Sequence, residues 1–123
     1  MRKQKFVINY QVYPHELMVV CEYPFDEFER ILKDYIPDNC HDDIELFKDE
    51  SGATTMMFDC GITVIYFKPG CTEEQVQRFI VHEAFHATLY LMDHIGATLT
   101  KSSEESYAYL LQYIVEQMTK RIK

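Results

Sequence analysis

No stretch of this chain approaches the roughly 18 to 20 consecutive apolar residues of a membrane span. Its opening residues, MRKQKFVINYQVYP, lack the continuous apolar segment of a signal peptide. A Cys-x-x-Cys pair is missing as well. The four cysteines, Cys21, Cys40, Cys60 and Cys71, are widely spaced, which excludes a zinc knuckle and a thioredoxin-like motif. Four free thiols suit a reducing compartment, so a cytoplasmic protein without a membrane partner is expected. Basic residues are scarce, 12 against 20 acidic ones for a formal net charge of -8. A chain so charged repels phosphate backbones, and nucleic acid is not expected as a partner. Glycine and proline occur only four times each, and no linker, repeat or low-complexity tract interrupts the sequence.

What is present suits one small domain spanning residues 1–123. Hydrophobic residues make up 47% of it, enough for a core. The periodicity predicts a β-rich first half and a helical second half. Lys5–Tyr13 and Leu17–Glu22 are enriched in β-branched and aromatic residues and predict strands around a turn at Pro14. FDEFERILKDYI, Phe25–Ile36, has helical apolar spacing between Pro24 and Pro37. The acidic stretch Asp38–Glu50, with six carboxylates and one lysine, predicts a solvated loop or short polar element. Within it Cys40, His41, Asp42 and Asp43 are a weak candidate for a second metal site. Thr54–Lys68 predicts a hairpin turning near Cys60 and Gly61, whose second arm is apolar on both faces. A capping box at Thr72 and Gln75 opens a helix running to about His94, stopped at Gly96. A last helix follows Ser102 or Ser103, with an apolar stripe of Tyr107, Leu110, Leu111, Ile114, Met118 and Ile122.

Chemistry enters at HEAFH, His82 to His86, in the middle of the first long helix. One turn apart, the two histidines project from the same face and can offer imidazole nitrogens to one divalent ion. Glu83 lies about 100° round the helix, placed to take a proton from a water that the ion activates. Three fixed positions recur by chance about once in a few hundred chains of this size, so a third ligand decides the matter. His94 is roughly 12 Å along the same helix from His86, too far for one ion. Glu104 and Glu105 open the last helix, which can fold back through the short connection IGATLTK. Glu104 is in register with Leu111, Val115 and Ile122, and both carboxylates stand as candidates. Cys71, about eleven helical residues and roughly 16 Å from His82, is too distant to cap an ion there.

HEAFH followed after 18 residues by Glu105 in ESYA is similar to the gluzincin metallopeptidases. These include thermolysin-like enzymes, zinc aminopeptidases and the ImmA/IrrE-type peptidases, and the match covers about Thr72 to Gln117. The metzincin branch would require glycine at position 89 and histidine at 92, where this chain has Leu89 and Met92. The resemblance implies an α+β, zincin-like fold with a small, mostly antiparallel sheet packed on an active-site helix and a C-terminal ligand-bearing helix. It implies one zinc ion held by His82, His86 and Glu105, with Glu83 as general base hydrolysing a peptide bond. Ala108 then becomes the small residue at which the two helices approach. Tyr109 stands where many gluzincins carry a carboxylate or amide that orients a ligand histidine.

By the same resemblance the strand Ile62–Phe67 would pair with an extended peptide or protein substrate. Tyr107, Tyr109, Tyr113 and His94 are the candidates for stabilising the oxyanion. So short a chain resembles peptidases of phage or mobile-element regulation more than digestive enzymes, an analogy of fold alone. The alternative expectation is a noncatalytic zincin-like module that binds metal or a protein partner, and the presence of Glu83 argues for chemistry over it.

Overall fold

The computed structural model describes all 123 residues as an α+β fold around a four-stranded mixed sheet. Strands β1 (Gln4–Asn9), β2 (Glu16–Cys21), β3 (Ala53–Met57) and β4 (Thr63–Phe67) are arranged in the order β1-β2-β4-β3. The β1–β2 and β3–β4 pairs are antiparallel, and the two hairpins join through a parallel seam between β2 and β4. Two of the three pairings therefore agree with the mostly antiparallel expectation, and the parallel seam is the departure from it.

Alternation along the strands separates two cores. Leu17, Val19, Cys21, Ile65 and Phe67 face the long helices α2 (Glu73–His94) and α3 (Glu104–Arg121). Met18, Val20, Val64 and Tyr66 face helix α1 (Phe25–Tyr35) and the 3-10 segment Asp38–Lys48. Successive side chains on a strand point to opposite faces, so a sheet covered on both sides needs apolar residues at every position of its inner strands. All five residues of β4 are buried, as are five of the six of β2.

That burial corrects one expectation. The strand Ile62–Phe67 cannot receive a peptide, because β4 is hydrogen-bonded on both sides, to β2 and to β3. Its unbroken apolar run is the mark of a central strand, and the open edge on that side of the sheet belongs to β3. The acidic stretch is also more structured than a solvated loop. It winds as a 3-10 helix that buries Cys40, Ile44 and Phe47 and keeps its carboxylates outside.

Local chemistry sets the helix ends. Pro24 precedes α1 and Pro37 follows it, while Phe28 and Leu32, one turn apart, are fully buried. At the start of α2 the Thr72 hydroxyl accepts from the Gln75 N–H at 3.2 Å, and the Gln75 side chain accepts from the Thr72 N–H at 2.9 Å. This reciprocal pair satisfies two of the N–H groups that a helix start leaves without partners. Ser103 precedes α3 but does not cap it, since its hydroxyl bonds within the preceding loop, to Thr98 and Thr100. No helix is long and apolar enough to cross a membrane.

Candidate metal centre

Helix α2 lies across the sheet with Ala84, Ala87 and Leu91 in the core, which turns His82 and His86 outward and Glu83 inward. The imidazole Nε2 atoms of His82 and His86 stand 3.2 Å apart. Two nitrogens at that separation, each about 2.0–2.1 Å from a shared ion, subtend roughly 100–105° at it, close to a tetrahedral angle. The separation of the pair is thus compatible with a shared transition ion. The His82 side chain is 67% exposed, so an ion held there would be open to solvent. Tyr90 stacks on the His86 ring, with centroids 6.0 Å apart.

Glu83 is 4% exposed. Its carboxylate divides its two oxygens between two neighbours. Oε1 accepts a 2.9 Å hydrogen bond from the Thr55 hydroxyl on β3, and Oε2 lies 3.7 Å from His82 Nε2. Burial pushes the Glu83 carboxyl above the ordinary range, against the lowering effect of the Thr55 hydrogen bond and of the two histidines; Asp49 adds to the rise. A carboxyl held above its usual range beside two imidazoles is suited to proton transfer.

The third ligand is not assembled with the pair. No group of three His, Cys, Asp or Glu side chains stands together in a way that could hold an ion. Glu104 and Glu105 open α3, both exposed. Val115 and Ile122 border the groove that α3 shares with Val76 and Ile80 of α2, and Glu104 falls on that same line of the helix. Glu105, about 100° further round, shares the line of Tyr109, which is 67% exposed. Ala108 is exposed and does not separate the two helices. Instead the buried face of α3 is Leu110, Ile114 and Met118.

The remaining candidates are dispersed. His94 sits at the far end of α2, edge-on to His15 with ring centroids 4.9 Å apart. Both rings crowd Gly61, where a β-carbon would come within 2.9 Å of His15 and 3.1 Å of His94. With its φ of +90° as well, this turn position requires glycine. The Tyr107 and Tyr113 hydroxyls donate to the carbonyls of Ala97 and Asn9, so both are engaged in fastening α3. Cys71 donates to the Gly52 and Lys68 carbonyls. Cys40, His41, Asp42 and Asp43 do not converge: Cys40 is buried, His41 contacts the Ile36 carbonyl and both aspartates are exposed.

A hollow of about 370 Å³ adjoins His82 and Glu83, lined by Ser51, Gly52, Ala53, Gln75, Arg78 and Phe79. Its floor is the start of the edge strand. Lys68 donates its N–H to the Gly52 carbonyl and Phe58 donates to Ile62, and an antiparallel ladder repeats every second residue. Ala53, Thr55 and Met57 therefore turn their backbone groups to the open edge. There the Ala53 carbonyl accepts from the Ser51 hydroxyl at 2.9 Å.

The entry to that strand is held by Asp49, which the sequence alone did not single out. Its carboxylate accepts from Lys68, Ser51 and Thr54, and Lys68 also donates to the Asp49 and Ser51 carbonyls. Partial burial would raise the Asp49 carboxyl, but these hydrogen bonds outweigh it and hold it at about 2. A carboxyl lowered in the folded state stabilises the fold fully above its ordinary value near 4, and that contribution disappears as pH falls through about 2. Asp49→Asn should lower the melting temperature by about 4 °C or less at pH 7, because the side chain is 46% exposed and solvent screens it. The gap between variant and wild type should close in thermal melts taken from pH 4 down to pH 2. A gap that stayed constant would assign the effect to something other than this carboxylate's charge.

The sequence matches no protein-family model, and no curated protein or solved structure matches the chain.

Proposed function

We propose that this protein is a zinc-dependent peptidase in which His82 and His86 hold one ion through their Nε2 atoms and Glu83 is the general base. The supporting observation is the 3.2 Å separation of the two imidazole nitrogens, with the buried Glu83 carboxylate directly beside them. A carboxylate from the first turn of α3 completes the ligands, Glu105 by its match to the gluzincin motif, with Glu104 as the alternate on the side facing α2. Neither joins the histidines in this structure. When bound, zinc polarises the scissile carbonyl and acidifies water.

The rest of the chemistry belongs to the chain itself. An extended peptide pairs with the open edge of β3 through the backbone of Ala53, Thr55 and Met57, which carries its scissile bond along the face that His82 and Glu83 border. The Glu83 carboxylate takes the proton from the attacking water and returns it to the departing amine. The competing reading, a noncatalytic metal-binding or protein-interaction module, is favoured by the unassembled third ligand.

Elemental analysis of tag-free protein tests the site. Near-stoichiometric zinc is expected in the wild type, lost in His82→Ala and Glu105→Ala and kept in Glu104→Ala. The reverse pattern for the two glutamates would move the third ligand to Glu104. Wild type that is metal-free and takes up no added zinc would overturn the proposal. Zinc retained without hydrolysis of any peptide or protein would favour the noncatalytic module.

A further inference from the structure

We infer that Thr55 is a positioning residue for the general base: its hydroxyl fixes one carboxylate oxygen of Glu83 so that the other is presented to the histidine pair. The inference rests on the peptidase reading above and adds to it a residue outside the HExxH pattern and outside α2.

The argument begins with the strand. Inward-facing positions of β3 are Ala53, Thr55 and Met57, and all three pack toward α2. A hydroxyl in such a row must find a partner, because an unbonded polar group in a buried site costs free energy. Thr55 is 6% exposed, and its Oγ1 reaches both the carboxylate of Glu83, at 2.9 Å, and the carbonyl of the same residue, at 3.3 Å. A hydroxyl has one proton, and the shorter contact is to the carboxylate. Thr55 therefore donates to the Glu83 carboxylate, and the Glu83 carbonyl is only a longer, competing acceptor for the same proton.

The consequence is geometric. The Glu83 backbone is fixed by α2, and anchoring Oε1 removes the rotation of the carboxylate about its terminal bond, which is otherwise broad and roughly two-fold. With Oε1 held, Oε2 is left on the His82 side, 3.7 Å from Nε2. Oε2 is therefore the oxygen presented to the histidine pair. A base misaligned by a rotation of its carboxylate loses much of its effect even when it remains in place.

Thr55 also lies on the strand whose outward backbone groups would receive substrate. One residue then contributes its main chain to peptide binding and its side chain to the base. A β-branched side chain suits this role, since its χ1 is restricted.

The test compares Thr55→Val, which keeps the shape and removes the hydroxyl, with Thr55→Ser, which keeps the hydroxyl. Steady-state hydrolysis of a peptide substrate, zinc content and crystal structures are measured for both and for wild type. In Thr55→Val, kcat is expected to fall about 10- to 100-fold with KM within two-fold and zinc content unchanged. The serine variant should recover most of kcat. In crystals the Glu83 carboxylate should keep one orientation in Thr55→Ser and be rotated or split in Thr55→Val. An active wild type with kcat unaffected by Thr55→Val, or a carboxylate that holds its orientation there, would overturn the role of Thr55 and leave the peptidase reading standing. A serine variant as impaired as the valine one would assign the loss to packing and likewise overturn it. A zinc-loaded wild type that hydrolyses no peptide would overturn the peptidase reading, and this inference with it.

Discussion

On the proposed peptidase reading, Glu83→Gln is expected to lower peptide hydrolysis about 100- to 10,000-fold, to leave zinc content as in wild type and to melt at a higher temperature than wild type when metal-free. The first effect follows from removing the base. The second follows because both imidazoles remain, 3.2 Å apart. The third is a linkage effect. Burial raises the Glu83 carboxyl, so the folded chain binds that proton more tightly than the unfolded chain does. The stabilisation this gives is complete below the ordinary glutamate value and is lost as pH rises through the raised one. At higher pH the folded chain carries a buried charge that glutamine does not carry, and the amide oxygen still accepts from Thr55. Thermal melts of metal-free protein taken upward from pH 4 should show the variant's advantage growing with pH and then levelling once pH has passed the raised value. Equal melting temperatures throughout would show that Glu83 exacts no cost for being buried, and undiminished hydrolysis would remove it from the mechanism.

Phe28→Ala carries the largest expected effect on stability, about 3–5 kcal/mol. Phe28 is fully buried, stacks on Tyr66 with centroids 3.8 Å apart and meets Phe47 edge-on at 5.0 Å. These three rings tie α1, the 3-10 segment and β4 into the second core. Removing the central ring forfeits transfer energy, leaves a cavity and ends three aromatic contacts, the third a tilted one with Phe25 at 6.0 Å. For a domain whose total stability is about 5–15 kcal/mol, the urea midpoint should fall by roughly 2 M at an m-value near 2 kcal/mol/M. Val12→Ala, at a side chain 82% exposed, is the control and should stay within about 0.5 kcal/mol. A Phe28→Ala midpoint as close to wild type would mean that the second core contributes little to holding the fold.

Much of the architecture was legible because it is written in local patterns. The capping box at Thr72 and Gln75, the prolines bracketing α1 and the apolar stripe of α3 each act over a few residues, and the structure places them where the pattern does. The neighbouring pair His82 and His86 was legible for the same reason, since i and i+4 on a helix share a face. The order of strands was not. Nothing within Thr63–Phe67 states which strands flank it, although its apolar character on both faces signals an inner strand, and the open edge falls to β3 for that reason. Thr55 escaped notice because its role depends on Glu83, 28 residues away. Its one visible signal is a hydroxyl in an inward row otherwise filled by Ala53 and Met57. Asp49 was hidden among five other carboxylates of an acidic stretch, and only its approach to Lys68 distinguishes it. The place of Ala108 failed because a motif aligns positions without fixing how far the helix is rotated about its axis.

The parallel seam between β2 and β4 has a kinetic consequence. Each hairpin can close locally, but the seam pairs Leu17 with Thr63 and Cys21 with Phe67, partners 46 positions apart along the chain. Contacts between distant residues form late and slow the reaction. Before they form, β2 and β4 each carry an unpaired edge and a run of side chains that the finished fold buries on both faces. Two chains caught at that stage present matching apolar strands to one another, and pairing between chains then competes with the seam. Refolding yield should therefore depend on protein concentration, with dilution favouring the seam because its formation is intramolecular.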